Sequence, residues 1–168
     1  MIRVCPLSRL HETVEEARAS HLVTLINEGT PVTRPPRIEP DKHLFLGFND
    51  ITGPMDGFVP PDHHVVSTFI DFVQRWTAES PLVIHCFAGI SRSTAGGFVA
   101  ACLKRPGTHE RAIASELRRV APQATPNSLF VSIADDILGR KGRMVDAIRQ
   151  IGRGATAFEG EPFSLSLS

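Results

Sequence analysis

Short apolar runs alternate with helical patterns along the first half of the chain. Ile2 to Cys5 is a strand candidate that Pro6 stops, and Glu12 to Arg18 mixes charged and small residues as a surface helix does. His21 to Ile26 (HLVTLI) is an apolar run of strand length, ended by Asn27 and Gly29. The stretch TPVTRPPRIEP carries four prolines and suits neither a helix nor a central strand. His43 to Phe48 (HLFLGF) reads as strand, and Asn49 to Pro61 as a Gly- and Pro-rich loop. Val65, Val66, Phe69, Ile70, Val73 and Trp76 then fall on one helical face, with Asp62 as N-cap. Pro81 breaks that helix, Leu82 to Ile84 is a buried strand, and STAGGFVAACLKR after Arg92 reads as a buried helix stopped by Pro106 and Gly107. Thr108 is expected to cap a helix through Val120, and another runs from about Asn127 to Leu138. The alternation predicts an α/β fold: a central, mainly parallel β-sheet flanked by helices, with a helical second half. The end from Phe158 (FEGEPFSLSLS) is expected to be mobile or loosely docked.

Length changes this picture little. The 168 residues suit one domain, with a core over about 1–140 and a helical tail with a mobile C-terminus over 141–168. Lys plus Arg and Asp plus Glu number 18 each, so no overall field holds the chain on nucleic acid or on an anionic membrane. No apolar run approaches the ~20 residues of a membrane span. Arg3, Arg9, Glu12, Glu15 and Glu16 argue against a secretory leader. Three cysteines, at 5, 86 and 102, make no disulfide framework, and a reducing cytoplasm is the expected setting.

The chemistry concentrates in His85-Cys86-Phe87-Ala88-Gly89-Ile90-Ser91-Arg92-Ser93-Thr94. A strand ends at a cysteine, five residues intervene, and an arginine opens a helix. Amides of such a loop converge on one point, and the helix dipole adds positive potential there. Arg92 can hold two oxygens of a tetrahedral anion in its planar fork, and Gly89 supplies the backbone angles for wrapping around it. The same field favours a thiolate at Cys86, the nucleophilic form. Ser93 can donate to the sulfur, and His85 is better placed to shape the loop than to transfer protons. The loop amides and Arg92 neutralise the oxygens themselves, so no metal or other cofactor is required. A chance H-C-x5-R-[ST] match is expected in well under ~1% of chains this long.

HCFAGISRST resembles the signature of the cysteine-based protein tyrosine phosphatases, most closely their dual-specificity branch. The resemblance implies a single phosphatase domain with Cys86 as nucleophile, Arg92 as phosphate clamp, and the amides of Phe87, Ala88, Gly89, Ile90, Ser91 and Arg92 as oxyanion cradle. Thr125-Pro126-Asn127-Ser128-Leu129-Phe130 is similar to the family segment that braces this loop, which makes Asn127 a supporting residue. The likeness covers roughly residues 20–140. GRKGRMVDAIRQIGRG, beyond Leu138, has no counterpart in the dual-specificity core, and the chain taken whole is similar to bacterial predicted tyrosine phosphatases with such a tail.

Expelling an alcohol from phosphorus needs a proton donor opposite the thiolate, and the family carries an Asp for it upstream. Asp50 lies 36 residues before Cys86, Asp56 lies 30 before and Asp62 lies 24 before. Asp50, at the carboxyl end of a strand, is favoured; Asp56 is the alternative, and Asp62 is a helix cap.

Other signals are weaker. Cys5 is either a small buried residue or an oxidative partner of Cys86; Cys102 reads as core. His43, His63 and His64 show no metal-ligand spacing. Ser8 and Arg9 are loop surface or pocket rim. Arg140, Lys141, Arg143, Arg149 and Arg153 in the tail form a solvated helix, a second anion site or a cover over the active face. The expected substrate is a phosphorylated protein or a small phosphomonoester. With no Lys or His inside the loop, protein is favoured over polyphosphorylated inositols, and with no Tyr in the chain a substrate ring must stack on Phe, His or Trp76. Two rivals remain: a sulfurtransferase or arsenate-reductase-like thiol enzyme, and a phosphate-binding module without turnover.

Overall fold

The structure is a computed structural model and describes residues 1–167. Five strands form one sheet: β1 (Ile2–Pro6), β2 (His21–Ile26), β3 (His43–Gly47), β4 (Leu82–Cys86) and β5 (Phe163–Leu165), in the order β3-β2-β4-β1-β5. β4 runs parallel to β1 and β2, β2 runs parallel to β3, and only β5 is antiparallel. The α/β architecture with a central, mainly parallel sheet is therefore the one expected.

α1 (Leu10–Ala17) covers one face of the sheet, where Leu10 and Val14 pack with Cys5, Leu22 and Val83. The other face carries α2 (His63–Arg75), α3 (Arg92–Lys104), α4 (Glu110–Val120), α5 (Ser128–Ile137) and α6 (Arg143–Ile151). From Ala95 to Leu103 α3 carries no polar side chain, as a helix enclosed by sheet and helices requires. Gly96 and Gly97 let it lie close, since an added Cβ would sit 2.9 Å from Leu25 Cδ1 and 2.8 Å from Val4 Cγ2 respectively.

Asp62 caps α2 as expected, its Oδ1 accepting from Val65 N at 2.8 Å. The cap of α4 is His109 rather than Thr108. Thr108 N closes a turn onto Arg105 O, which delays helix entry by one residue, and His109 Nδ1 accepts from Arg111 N at 3.2 Å. The end of the chain also departs from expectation. Residues 163–165 pair with β1, and Phe163 and Leu165 are buried, because their apolar side chains complete the sheet edge beside α4. An expected mobile terminus is thus an edge strand.

The carboxyl ends of the four parallel strands lie along one edge of the sheet. That edge gathers Pro6, Asn27, Phe48 and Cys86, and places the helix following β4 against the loop that follows β3.

Candidate active site

Between β4 and α3 the chain wraps residues 87–91 into a tight loop. Its carbonyls turn outward and are taken up by the surroundings. Phe87 O accepts from Leu7 N at 3.1 Å, Ala88 O from Gly160 N at 2.8 Å, Ile90 O from Thr125 N at 2.9 Å, and Ser91 O from Asn127 N at 3.2 Å. With these carbonyls held outside, Gly89 N turns to the interior and donates to Cys86 Sγ at 3.2 Å. Gly89 has φ +71°, and an added Cβ would stand 2.7 Å from Pro6 N, so β1 presses directly on the loop from behind.

Cys86 lies at the floor, 3% exposed, with Ser93 Oγ 3.1 Å from its sulfur. Arg92 is 7% exposed. Its Nη1 donates to Asn27 Oδ1 at 2.6 Å and to Phe48 O at 2.8 Å, while its buried Nε has no partner. Arg3 and Arg105 also have an unpaired Nε, yet each faces a carboxylate, Glu16 and Glu116. Arg92 faces neutral oxygens only, so among the described residues it is a buried cation without an anion. Such a charge is costly unless an anion joins it.

Asp50 meets this loop directly. Its Oδ1 accepts from Ser91 Oγ at 2.7 Å and from Asn127 Nδ2 at 2.8 Å, and its Oδ2 has no hydrogen bond among the described residues. Asp56 is exposed in the turn between Met55 and Phe58, and Asp62 is occupied as a helix cap. Of the three candidate carboxylates, only Asp50 touches the loop.

Beneath the loop, Thr24 Oγ1 lies 2.8 Å from both His43 Nε2 and His85 Nε2, and His85 Nδ1 lies 3.3 Å from Cys86 O. One proton assignment satisfies every group: His43 Nε2–H donates to Thr24, Thr24 donates to His85 Nε2, and His85 Nδ1–H donates to Cys86 O. Burial holds the His85 imidazole neutral by lowering its pKa to about 4. His85 thus braces the loop.

Spacing did not point to Asn27, Thr24 or the Phe48 carbonyl. For Asn27 a signal existed, a side-chain amide directly after a parallel strand. Cys5 pairs in register with His85 rather than Cys86, so the pleat turns it to the α1 face among Leu10, Val14 and Val83. That placement favours the small-buried-residue reading over the oxidative partner. The tail cations divide. Arg140 and Arg143 ion-pair with the buried Glu110, whereas Arg149 and Arg153 line a cleft beside Asp50 and Ser91.

A strand-loop-helix turn that sets a buried guanidinium beside a buried cysteine sits in a fold similar to that of the dual-specificity phosphatases. Residues 50–120 match the sequence model of the protein-tyrosine phosphatase family. The structure is similar to DUSP15 (TM-score 0.62, 17% identity, covering 89% of each chain). It is also similar to the Cydia pomonella PTP-2 phosphatase (TM-score 0.62, 15% identity, 80% of this chain and 84% of that one). A third similar structure is PTPMT1 in complex with PI(5)P (TM-score 0.59, 12% identity, 84% and 94%). No curated protein matches the sequence.

Proposed function

We propose that this chain is a phosphomonoester hydrolase acting on phosphorylated protein through a cysteinyl-phosphate intermediate. The observation that carries the reading is the buried Arg92 guanidinium without a carboxylate partner, beside a loop whose carbonyls are held outward.

In the first step the Cys86 thiolate attacks phosphorus while the phosphorus–oxygen bond to the substrate breaks. Asp50 passes its proton to the departing oxygen from Oδ2, its free oxygen, with Oδ1 anchored by Ser91 and Asn127. Arg92 Nε and the loop amides hold the equatorial oxygens. In the second step the Asp50 carboxylate takes a proton from water as that water attacks phosphorus. The sulfur–phosphorus bond then breaks, and the Ser93 hydroxyl, 3.1 Å from the sulfur, eases its departure.

The loop interior has no Lys or His, which favours a protein phosphomonoester over a polyphosphorylated inositol. Trp76 is buried and donates to Ser80 O, so stacking against a substrate ring falls to a phenylalanine, with Phe87 exposed at the loop mouth. A cytoplasmic setting is read from the three free thiols.

Turnover of aryl phosphates with graded leaving groups tests the mechanism. Cys86→Ser should abolish hydrolysis and keep phosphate binding; retained turnover would overturn the covalent route. Asp50→Asn should slow poor leaving groups by ~10²–10³-fold and activated ones far less. An equal loss on both, or a selective loss in Asp56→Asn, would move the acid. Turnover of thiosulfate or arsenate in place of aryl phosphate would favour the thiol-enzyme rival.

A further inference from the structure

We propose that the cleft beside the phosphate loop is an accessory anion site, which selects protein substrates with an acidic or second phosphorylated side chain near the target residue. The proposal rests on the phosphatase reading above and assigns its substrate class.

The cleft has a volume of 740 Å³, within the ~300–1,000 Å³ range of ligand sites. Asp50 and Ser91 line it together with Ile90, Ile148, Arg149 and Arg153. Asp50 faces the departing oxygen in the proposed mechanism, so the part of the substrate beyond that oxygen leaves the loop on this side.

One wall is the segment after α6, which is strapped down. Arg118 Nη2 donates to Gly152 O at 2.8 Å, Gly154 N to Thr125 Oγ1 at 3.0 Å, and Ala155 N to Pro122 O at 2.9 Å. Gly154 lies so close to the turn before α5 that an added Cβ would stand 2.5 Å from Gln123 C. The same segment then reaches the loop, where Gly160 N donates to Ala88 O. A wall tied at both ends presents its side chains in a fixed place.

Charge gives the cleft its selectivity. Arg153 has no ion pair among the described residues, and Arg149 meets only Asp146, an exposed neighbour one helical turn away at 3.1 Å. Such an exposed pair holds its cation weakly, so both guanidinia are available to a ligand. Their counterparts Arg140 and Arg143 are committed to Glu110. The apolar Ile90 and Ile148 suit the aliphatic stem of an acidic side chain.

The test compares kcat/KM for phosphotyrosine peptides bearing Glu, a second phosphoresidue, or neutral residues beside the target. The wild-type ratio of anionic to neutral peptide should be ~10, and should fall with added salt. Arg149→Gln/Arg153→Gln should bring it near 1, while the charge-matched pair Arg75→Gln/Arg111→Gln should keep it. The Glu and phosphoresidue arms separate the two sources of negative charge. A wild-type ratio near 1, or one unchanged by Arg149→Gln/Arg153→Gln, would overturn the proposal. So would selectivity confined to inositol phosphates or phosphoinositide vesicles. Peptide affinity for Cys86→Ser, read by fluorescence anisotropy, gives the same ratio without turnover. Selectivity there, with p-nitrophenyl phosphate left unhydrolysed by the wild type, would sink the catalytic reading and leave the site standing.

Discussion

Cys86 lies before the N-terminus of α3 and Cys102 near its C-terminus, and both are enclosed, at 3% and 0% exposure. Burial is thus common to them, and everything else differs. Around Cys102 the charges are paired within the fold. Its carbonyl accepts from Arg140 Nη2, Arg105 pairs with Glu116, and Arg140 also pairs with Glu110. Burial pushes the Cys102 thiol up to about 12, and does the same for Cys5. Around Cys86 a loop amide and the Ser93 hydroxyl meet the sulfur, and the nearby Arg92 cation has no carboxylate partner and a buried Nε with no partner at all. One helix end has its cations paired with carboxylates, and the other holds a cation that no carboxylate meets among the described residues. A cysteine's chemistry follows from which end it occupies.

The largest expected effect tests that contrast directly. At neutral pH a thiol titrating near 12 is ionised only to about one part in 10⁵. Iodoacetamide should therefore label Cys86 at least ~10²-fold faster than Cys5 or Cys102, as read by peptide mass spectrometry, and inorganic phosphate should protect it. Equal rates at the three positions would end the argument.

A second effect uses the glycines flanking α3. Gly89→Ala places a Cβ against Pro6 N at a positive φ, a strain of ~1–3 kcal/mol, and displaces the cradle. Turnover of p-nitrophenyl phosphate should fall by ~10²-fold. Gly107, just past the other end, has open space around its Cα, and Gly107→Ala should change turnover less than twofold.

The smallest effect concerns the floor under the loop. The folded state holds His85 near 4, below its ordinary value of 6.5, because the ring is buried. Between those values the unfolded chain binds the proton and the folded one does not. Stability should therefore be unaffected above about 6.5 and fall as the pH drops toward 4, by at most ~1.4 kcal/mol per unit from this residue. Urea denaturation at pH 7 and pH 5 should show a shallower dependence in His85→Asn than in the wild type. An identical slope in both would mean that His85 is more solvated than its burial implies.

Much of this was legible in the chain itself. The run HLVTLI and the Asp62 cap were readable because each rests on contacts within a few residues. The cysteine-to-arginine spacing was readable for the same reason, since one loop carries it. The His109 cap was missed because a turn closing on Arg105 shifted the entry. β5 was missed because a three-residue strand has too little periodicity to stand out, and its partner is 160 residues away in sequence. Asp50 and Asp56 were separable only once Ser91 and Asn127 were seen to hold the first.

The order of residues determined the proposed nucleophile, the proposed clamping arginine and the alternation of strands and helices, since these are local patterns of spacing and hydrophobicity. Tertiary structure decided which carboxylate meets the loop, that Asn27 and Phe48 aim the guanidinium, and that four tail cations divide two by two between a buried glutamate and a cleft. Those outcomes depend on groups that are remote along the chain, and only the packing of helices on the sheet sets the distances between them.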